Sequence, residues 1–137
     1  MYTCTMQILV TKKRRLFLHE HNPFAVLLAA ITIYAMIIPM MISDVATSIY
    51  QAIYFSVFDI PKIDRREYVV MDRWDLKKLN LIQKLNCVYC EYGNGVTAWA
   101  KAVASQTEIH SCAIKHRHLV RGQQEGEDYY KYSDFKA

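Results

Sequence analysis

A run of uncharged, mostly apolar residues dominates the first half of the chain. Residues 24–43, "FAVLLAAITIYAMIIPMMIS", contain no charged side chain. In a helix, such a run covers about 30 Å at about 1.5 Å per residue, which is the thickness of the hydrocarbon core of a bilayer. Pro39 lies inside the run, and lipid-embedded helices tolerate proline better than soluble helices do. The pattern predicts a membrane-embedded helix.

Two other interpretations of this run agree less well with the sequence. A secretory signal peptide has a shorter apolar region followed by a cleavage site with small residues, and neither feature is seen here. A buried helix of a soluble protein would need a core larger than the rest of this chain supplies. We therefore expect this protein to be held in a membrane.

The next stretch, "DVATSIYQAIYFSVFD", has a narrow polar stripe on an otherwise apolar helix. The polar positions of this stripe, at helical intervals of three and four residues, are Asp44, Thr47, Ser48, Gln51 and Asp59. This pattern predicts an amphipathic continuation of the first helix, either leaving the bilayer or lying at its surface. Residues 24–58 together form the predicted membrane-embedded and interfacial segment. Asp44 and Asp59 are expected to bond to a partner subunit, with proton transfer as the alternative role.

Basic residues flank the apolar run on both sides, and the formal net charge is +4. The positive-inside rule then places both flanks in the cytoplasm, which a short hairpin or re-entrant segment satisfies and a single crossing does not. We leave both topologies open, and we expect lipid headgroups rather than nucleic acid to meet these charges. The predicted membrane-interface residues are Lys12, Lys13, Arg14, Arg15, Tyr50, Tyr54, Arg65 and Arg66.

Residues 1–23 are predicted to be a basic N-terminal segment. Residues 59–118, after the apolar segment, are predicted to form a small extramembrane domain. An extended piece at 67–71 leads to a helix from about Arg73 to Leu85 with one apolar face. The stretch "EYGNG" predicts a turn, because glycine and asparagine adopt positive φ easily. A second helix, about 96–106, follows the turn, and residues 119–137 lack periodicity and are predicted to be a flexible tail. The expected fold class is mainly α.

Three cysteines and a histidine in this domain have the spacing of a metal site. Cys87 and Cys90 form CxxC, and Cys112 and His116 form CxxxH after a longer excursion. Tetrahedral zinc uses thiolate and imidazole ligands in two such short-range pairs, and iron or an iron–sulfur cluster accepts similar ligands. A domain of this size buries little apolar surface, so bound metal would contribute folding energy. The sequence therefore predicts a structural site, with zinc first and iron second.

The same cysteines allow other interpretations. They fit a disulfide framework if the domain faces an oxidising compartment, a thioredoxin-like redox pair, or three unliganded buried thiols. Attachment of c-type haem is excluded, because Glu91 rather than histidine follows Cys90. The chain shows no phosphate-binding glycine loop, nucleophile–base motif or carboxylate pair, so we do not expect an enzyme.

Three stretches carry a resemblance to a known family. From Ile60 to His116, "IPKIDRREYVVMDR", "LNLIQKLNCVYCEYGNG" and "TEIHSCAIKH" resemble a family of short, uncharacterised bacterial membrane-anchored proteins with a CxxC…CxxxH motif. This chain departs from the family pattern at Ser111 and Ala113, where tryptophan and proline are usual, and its tail is longer. The resemblance implies a bacterial membrane protein and no particular activity.

The functional expectation combines these features. We expect a non-catalytic, membrane-anchored accessory or assembly subunit of a larger membrane protein complex, with other subunits and the lipid bilayer as partners. The alternative is a redox or iron-binding membrane protein that uses the Cys/His cluster. Reduced, metal-type cysteines favour a reducing compartment, so the expected location is a bacterial inner membrane with the C-terminal domain in the cytoplasm.

Overall fold

Helices make up most of the described structure. The computed structural model describes residues 22–118, 120–124 and 128–135, and no strand occurs among them. The mainly α fold class is therefore confirmed. The helices are α1 (Pro23–Ala35), α2 (Ile37–Tyr50), a π-helical turn (Gln51–Phe55) and α3 (Leu81–Ser111), with short 3₁₀ turns at Arg65–Glu67, Arg73–Asp75 and Tyr132–Phe135.

The predicted long apolar helix is present. Asn22 begins α1, because its side-chain oxygen accepts a hydrogen bond from the Phe24 amide at 3.0 Å, and Pro23 fills the first helical position. From Pro23 to Phe55 the described chain is helical, and it is long and apolar enough to cross a membrane. No residue of α1 or α2 is buried. The coarse prediction of a single membrane-length helix near the N-terminus is confirmed.

The chain divides into two compact units at Ile38, and the tertiary contacts below lie within the second, Pro39–Ala137. This boundary falls inside the predicted membrane segment 24–58. The reason is that residues of α2 after Pro39 contact α3: Tyr50, for example, shares a 2.8 Å hydrogen bond with the Thr107 hydroxyl.

The region predicted as two helices around a turn is one helix of 31 residues. Asn80 begins α3 with a reciprocal capping box, in which its side chain accepts from the Gln83 amide at 2.9 Å and its own amide donates to the Gln83 side chain at 3.0 Å. The predicted start near Arg73 is wrong by about two turns of helix. Residues 73–75 form only a 3₁₀ turn, and residues 67–71 form no strand.

The predicted turn at Gly93–Gly95 is part of the helix, and both glycines lie where α3 packs closely against other residues. A Cβ atom on Gly93 would lie 2.7 Å from the Met40 sulfur, and one on Gly95 would lie 2.7 Å from the Tyr68 carbonyl oxygen. Both glycines are buried. Among the described residues, the glycine with positive φ is Gly122, at +74°.

A small core joins the end of the π-helical turn to α3. Phe55, Ile60, Trp99 and Val103 are buried together. The connecting segment is held by the Gln51 side-chain amide, which donates to the Ile63 carbonyl at 3.1 Å and accepts from the Ile63 amide at 3.2 Å. The Gln51 side chain thus satisfies both backbone groups of Ile63, and the segment after the π-helical turn is held in place without strand pairing.

The described part of the predicted tail packs on the end of α3. Gln124 is buried; its side chain donates to Glu108 and accepts from the His116 amide at 2.6 Å. Tyr129 is buried too, and its hydroxyl lies 3.5 Å from the Ser105 carbonyl. Local sequence did not show this packing, because a single buried glutamine and a single buried tyrosine have no periodicity.

Candidate functional site

The most connected polar cluster begins at Asp44, the first charged residue after the apolar run. Arg65 forms a two-pronged ion pair with it: Nε donates to Oδ1 at 2.9 Å, and Nη2 donates to Oδ2 at 2.7 Å. The Tyr92 hydroxyl donates to the same Oδ2 at 2.9 Å. The Asp44 side chain is 14% exposed, so protein groups rather than water satisfy much of its charge. We call Asp44, Arg65 and Tyr92 the polar lock.

Three separate elements bring the polar lock together. Arg65 begins the 3₁₀ turn, which Asp64 caps by accepting from the Arg66 amide at 2.9 Å. Tyr92 precedes Gly93, whose missing side chain lets α3 approach Met40 of α2. This close approach carries the Tyr92 hydroxyl to the next turn of α2, where Asp44 lies.

The polar lock favours one protonation pattern at neutral pH. Burial, followed by the hydrogen bond to Asp44, raises the pKa of the Tyr92 phenol above its ordinary value. The hydrogen bond to Asp44 likewise raises the pKa of the Arg65 guanidinium, which therefore stays charged. The arrangement is thus a neutral phenol beside an ion pair. Chemically, it suits joining two elements better than moving a proton.

A second ion pair lies beside the polar lock on α3. The Glu91 side chain is 5% exposed; its Oε1 accepts a hydrogen bond from the Arg73 amide at 3.2 Å and forms an ion pair with the Arg73 Nε, also at 3.2 Å. The other oxygen, Oε2, is buried and has no hydrogen-bond partner among the described residues. Arg73 itself is more than half exposed. This pair fixes the 3₁₀ turn at Arg73–Asp75 against α3.

The predicted zinc or iron site is not assembled. Cys87 and Cys90 lie one turn apart inside α3, whereas Cys112 comes just after its last residue. A helix rises about 1.5 Å per residue, so Cys90 and Cys112 lie about 33 Å apart. His116 lies beyond Cys112, and its amide bonds to Gln124.

The four ligands could meet at one ion only if the chain turned back on itself between Cys90 and Cys112. The helix is continuous over this stretch, so the chain does not turn back. Among the described residues, no group of three or more histidine, cysteine or acidic side chains is arranged to hold a metal. Cys87, Cys90 and Cys112 are free thiols, so they form no disulfide with one another. In this conformation the described chain does not bring the two predicted ligand pairs to one position.

The predicted membrane-interface residues have different outcomes. Lys12, Lys13, Arg14 and Arg15 lie outside the described residues. Tyr50 and Tyr54 stack on each other, with ring centroids 5.2 Å apart, and Tyr54 also packs against the core. Arg65 belongs to the polar lock, whereas Arg66 is exposed.

Sequence reasoning singled out Asp44 but assigned its bond to a partner subunit. In the structure the bond is internal, to Arg65 and Tyr92. A charge at the end of an apolar helix requires a partner, and this signal was visible in the sequence. The sequence alone could not identify Arg65, among the basic residues that follow the helix, as the partner of Asp44.

Comparison with known proteins gives no match. No protein-family model, no curated protein and no solved structure is similar enough to this chain to assign a family.

Proposed function

We propose that this protein is a non-catalytic, membrane-anchored accessory or assembly subunit of a larger membrane protein complex. The observation that supports it best is the state of the long apolar helix. From Pro23 to Phe55, Phe55 is the one buried residue, and apolar side chains such as Leu28 and Ile42 are more than half exposed. Lipid and other membrane helices are the surroundings that cover such a surface.

The use of the polar groups supports a structural role. Asp44, Arg65 and Tyr92 pair with one another, and Glu91 pairs with Arg73. Through these pairs the segment after the membrane helix is tied back onto it. The protein thus presents a fixed extramembrane surface attached to an anchor, which is what an assembly subunit needs.

The proposed location is a bacterial inner membrane, with the residues after the apolar helix in the cytoplasm. Basic residues on both sides of the apolar run support this orientation. Free thiols at Cys87, Cys90 and Cys112 suit a reducing compartment.

The test is purification of the tagged full chain from native membranes in a mild detergent, followed by native electrophoresis and mass spectrometry of the same band. We expect the chain to migrate in an assembly well above its own 16.0 kDa with a constant ratio to at least one other membrane protein. The control is an equally abundant, unrelated single-span protein from the same membranes. A chain that runs alone in every mild detergent contradicts the proposal.

The alternative, a redox or iron-binding protein, lacks comparable support. It required Cys87, Cys90, Cys112 and His116 to share one centre, and α3 keeps the first two apart from the third. We therefore expect the purified protein to be colourless. A visible absorption band that is lost when Cys87 is replaced by serine would restore the alternative.

A further inference from the structure

Two of the cysteines in α3 belong to one row of positions along the helix surface. Cys87, Cys90 and Gly93 follow one another at intervals of three residues inside a continuous helix. Residues three apart on a helix are surface neighbours, with Cβ atoms about 5–6 Å apart. Cys90 is exposed, Cys87 is half-buried, and both are free thiols. The two thiols are therefore neighbours on one side of α3.

A third sulfur atom lies at the next place in this row. Gly93 has no side chain, and the Met40 sulfur of α2 lies 2.7 Å from the point where its Cβ atom would be. The Met40 thioether thus takes the place of a side chain three residues after Cys90. All of these residues belong to the second compact unit, Pro39–Ala137. We call Cys87, Cys90 and Met40 the sulfur row.

The chemistry of the sulfur row favours one class of ligand. Thiolate and thioether are soft donors and select Cu(I), whereas Mg²⁺ and Ca²⁺ prefer oxygen ligands. A structural zinc ion takes four ligands. No group of three or more histidine, cysteine or acidic side chains in the described chain is arranged to hold a metal. An ion that accepts two thiolates and one thioether suits the groups that are present, and Cu(I) is such an ion.

We propose that the sulfur row binds a single Cu(I) ion, with the thiolates of Cys87 and Cys90 as its main ligands and the Met40 thioether as the third. Each thiol releases its proton to water on binding, and copper stays monovalent, so no oxidant or reductant takes part. This site does not use Cys112 or His116, and it is therefore distinct from the predicted zinc or iron centre. The inference goes beyond the proposed function and does not depend on it.

The test measures transfer of Cu(I) to the full chain in detergent, without oxygen and with ascorbate as reductant. Cu(I) is supplied as its coloured complex with bicinchoninate, so loss of the colour reports uptake by the protein. We expect one Cu(I) per chain for wild type and for the control variant Cys4→Ser/Cys112→Ser. Cys87→Ser and Cys90→Ser should each abolish uptake at the same chelator concentration, because a single thiolate does not compete with the chelator.

Met40 has a matched control in its neighbour Met41. Met40→Leu roughly keeps the side-chain volume but removes the sulfur, and it should weaken Cu(I) binding by about 10–100-fold, the range for supporting groups of metal sites. Met41 is 54% exposed, and Met41→Leu should leave binding unchanged. X-ray absorption at the copper edge should show three sulfur neighbours in wild type and two in Met40→Leu. Because the methionine side chain is flexible, its sulfur reaches the ion without movement of α2.

A readout that needs no variant is the melting temperature of the wild-type chain, which bound Cu(I) should raise. Copper that stays with the chelator in the presence of wild type overturns the inference. Uptake that survives both Cys87→Ser and Cys90→Ser, or that is lost in Cys4→Ser/Cys112→Ser, assigns the copper to other thiols and overturns it too. Two sulfur neighbours in wild type would overturn the three-ligand site.

The outcome is independent of the assembly test for the proposed function. A chain that takes up one Cu(I) but runs alone in native electrophoresis retains the copper site and loses the proposed function. A chain that runs in an assembly but leaves all copper with the chelator retains the proposed function and loses the copper site.

Discussion

At the residue scale, a few polar side chains form hydrogen bonds and ion pairs with residues that are distant in sequence. Asp44 and Arg65 are 21 residues apart, and Asp44 and Tyr92 are 48 residues apart. A carboxylate at the end of an apolar helix carries a desolvation cost, and the two-pronged guanidinium offsets it. The pairing therefore fixes the segment around Arg65 against α2.

The ion pair of the polar lock can be measured with a double-mutant cycle. We expect Asp44→Asn and Arg65→Gln each to lower the melting temperature of the detergent-solubilised protein. Since Arg65 is 39% exposed, we expect a coupling of only about 1 kcal/mol between the two positions. The matched control is Arg66→Gln, an exposed neighbour that should have little effect. Strictly additive effects of the two substitutions would show that the pair contributes nothing.

Tyr92 should make the stability of the folded protein depend on pH in the alkaline range. Its pKa in the folded state is raised by burial and by the hydrogen bond to Asp44, so folding favours the protonated phenol. This contribution to stability is complete below the ordinary tyrosine pKa of 10.0 and is lost as pH rises through the higher folded value. Above pH 10.0 we expect the melting temperature of the wild-type protein to fall more steeply with pH than the melting temperature of Tyr92→Phe.

Tyr129 needs its own control in the same titration. Burial, together with the charges of Glu108 and Asp128, raises its pKa as well. Tyr129→Phe should therefore remove a separate part of the alkaline loss, and the double variant should remove both parts. If Tyr92→Phe lost stability with pH as steeply as wild type, the phenol would not be held by the polar lock.

At the element scale, α3 shows what the sequence can predict and what it cannot. The long apolar helix over 24–43 can be predicted because its length and hydropathy are properties of the local composition. The turn at Gly93–Gly95 was wrong because glycine serves two purposes, positive φ and close approach, and the sequence does not distinguish them. Only Met40 and Tyr68, both distant in sequence, reveal the second purpose.

The metal prediction depends on the same turn. A cysteine pair before a turn and a cysteine–histidine pair after it point to one site, whereas the same pairs along one helix do not. The ligand types and spacings in the sequence are identical in both cases. The conformation of three residues therefore decided the outcome for Cys87, Cys90, Cys112 and His116.

The two glycines of α3 should respond differently to alanine. In an isolated helix, alanine is favoured over glycine by about 1 kcal/mol. At Gly95 the added methyl group meets the backbone of Tyr68 and Val69, which has little freedom to move, so we expect Gly95→Ala to destabilise by about 1–3 kcal/mol. At Gly93 it meets the flexible end of Met40, so the loss should be smaller.

Melting of both variants in the same detergent checks this order, and a further variant, Gly93→Ala with Met40→Ala, serves as control by opening space for the methyl group. It should recover part of any loss caused by Gly93→Ala alone. If Gly93→Ala and Gly95→Ala lowered the melting temperature equally, the two contacts would not differ in rigidity, and a turn containing both glycines would explain the result better.

At the scale of the whole molecule, the described chain combines one long, exposed apolar helix with a small core. Core residues are few, and much of the described apolar surface is left uncovered. A chain of this kind gains a large part of its stability from its surroundings, which are lipid and the proposed partner subunits. We expect its melting temperature to be higher in lipid nanodiscs than in detergent, with a further rise when the co-purifying partner is present. Equal melting temperatures in nanodiscs and detergent would contradict this dependence.

The continuity of α3 separates Cys87 and Cys90 from Cys112 and His116, and the packing of Gly93 and Gly95 depends on it. It is tested most directly by the distance between spin labels on Cys90 and Cys112 in the reconstituted full chain, with Cys4 and Cys87 replaced by serine. The account predicts a single distribution centred near 33 Å, the length of helix between the two residues at about 1.5 Å per residue. A distribution centred below about half that length would show that the chain reverses between them, and the account would be wrong.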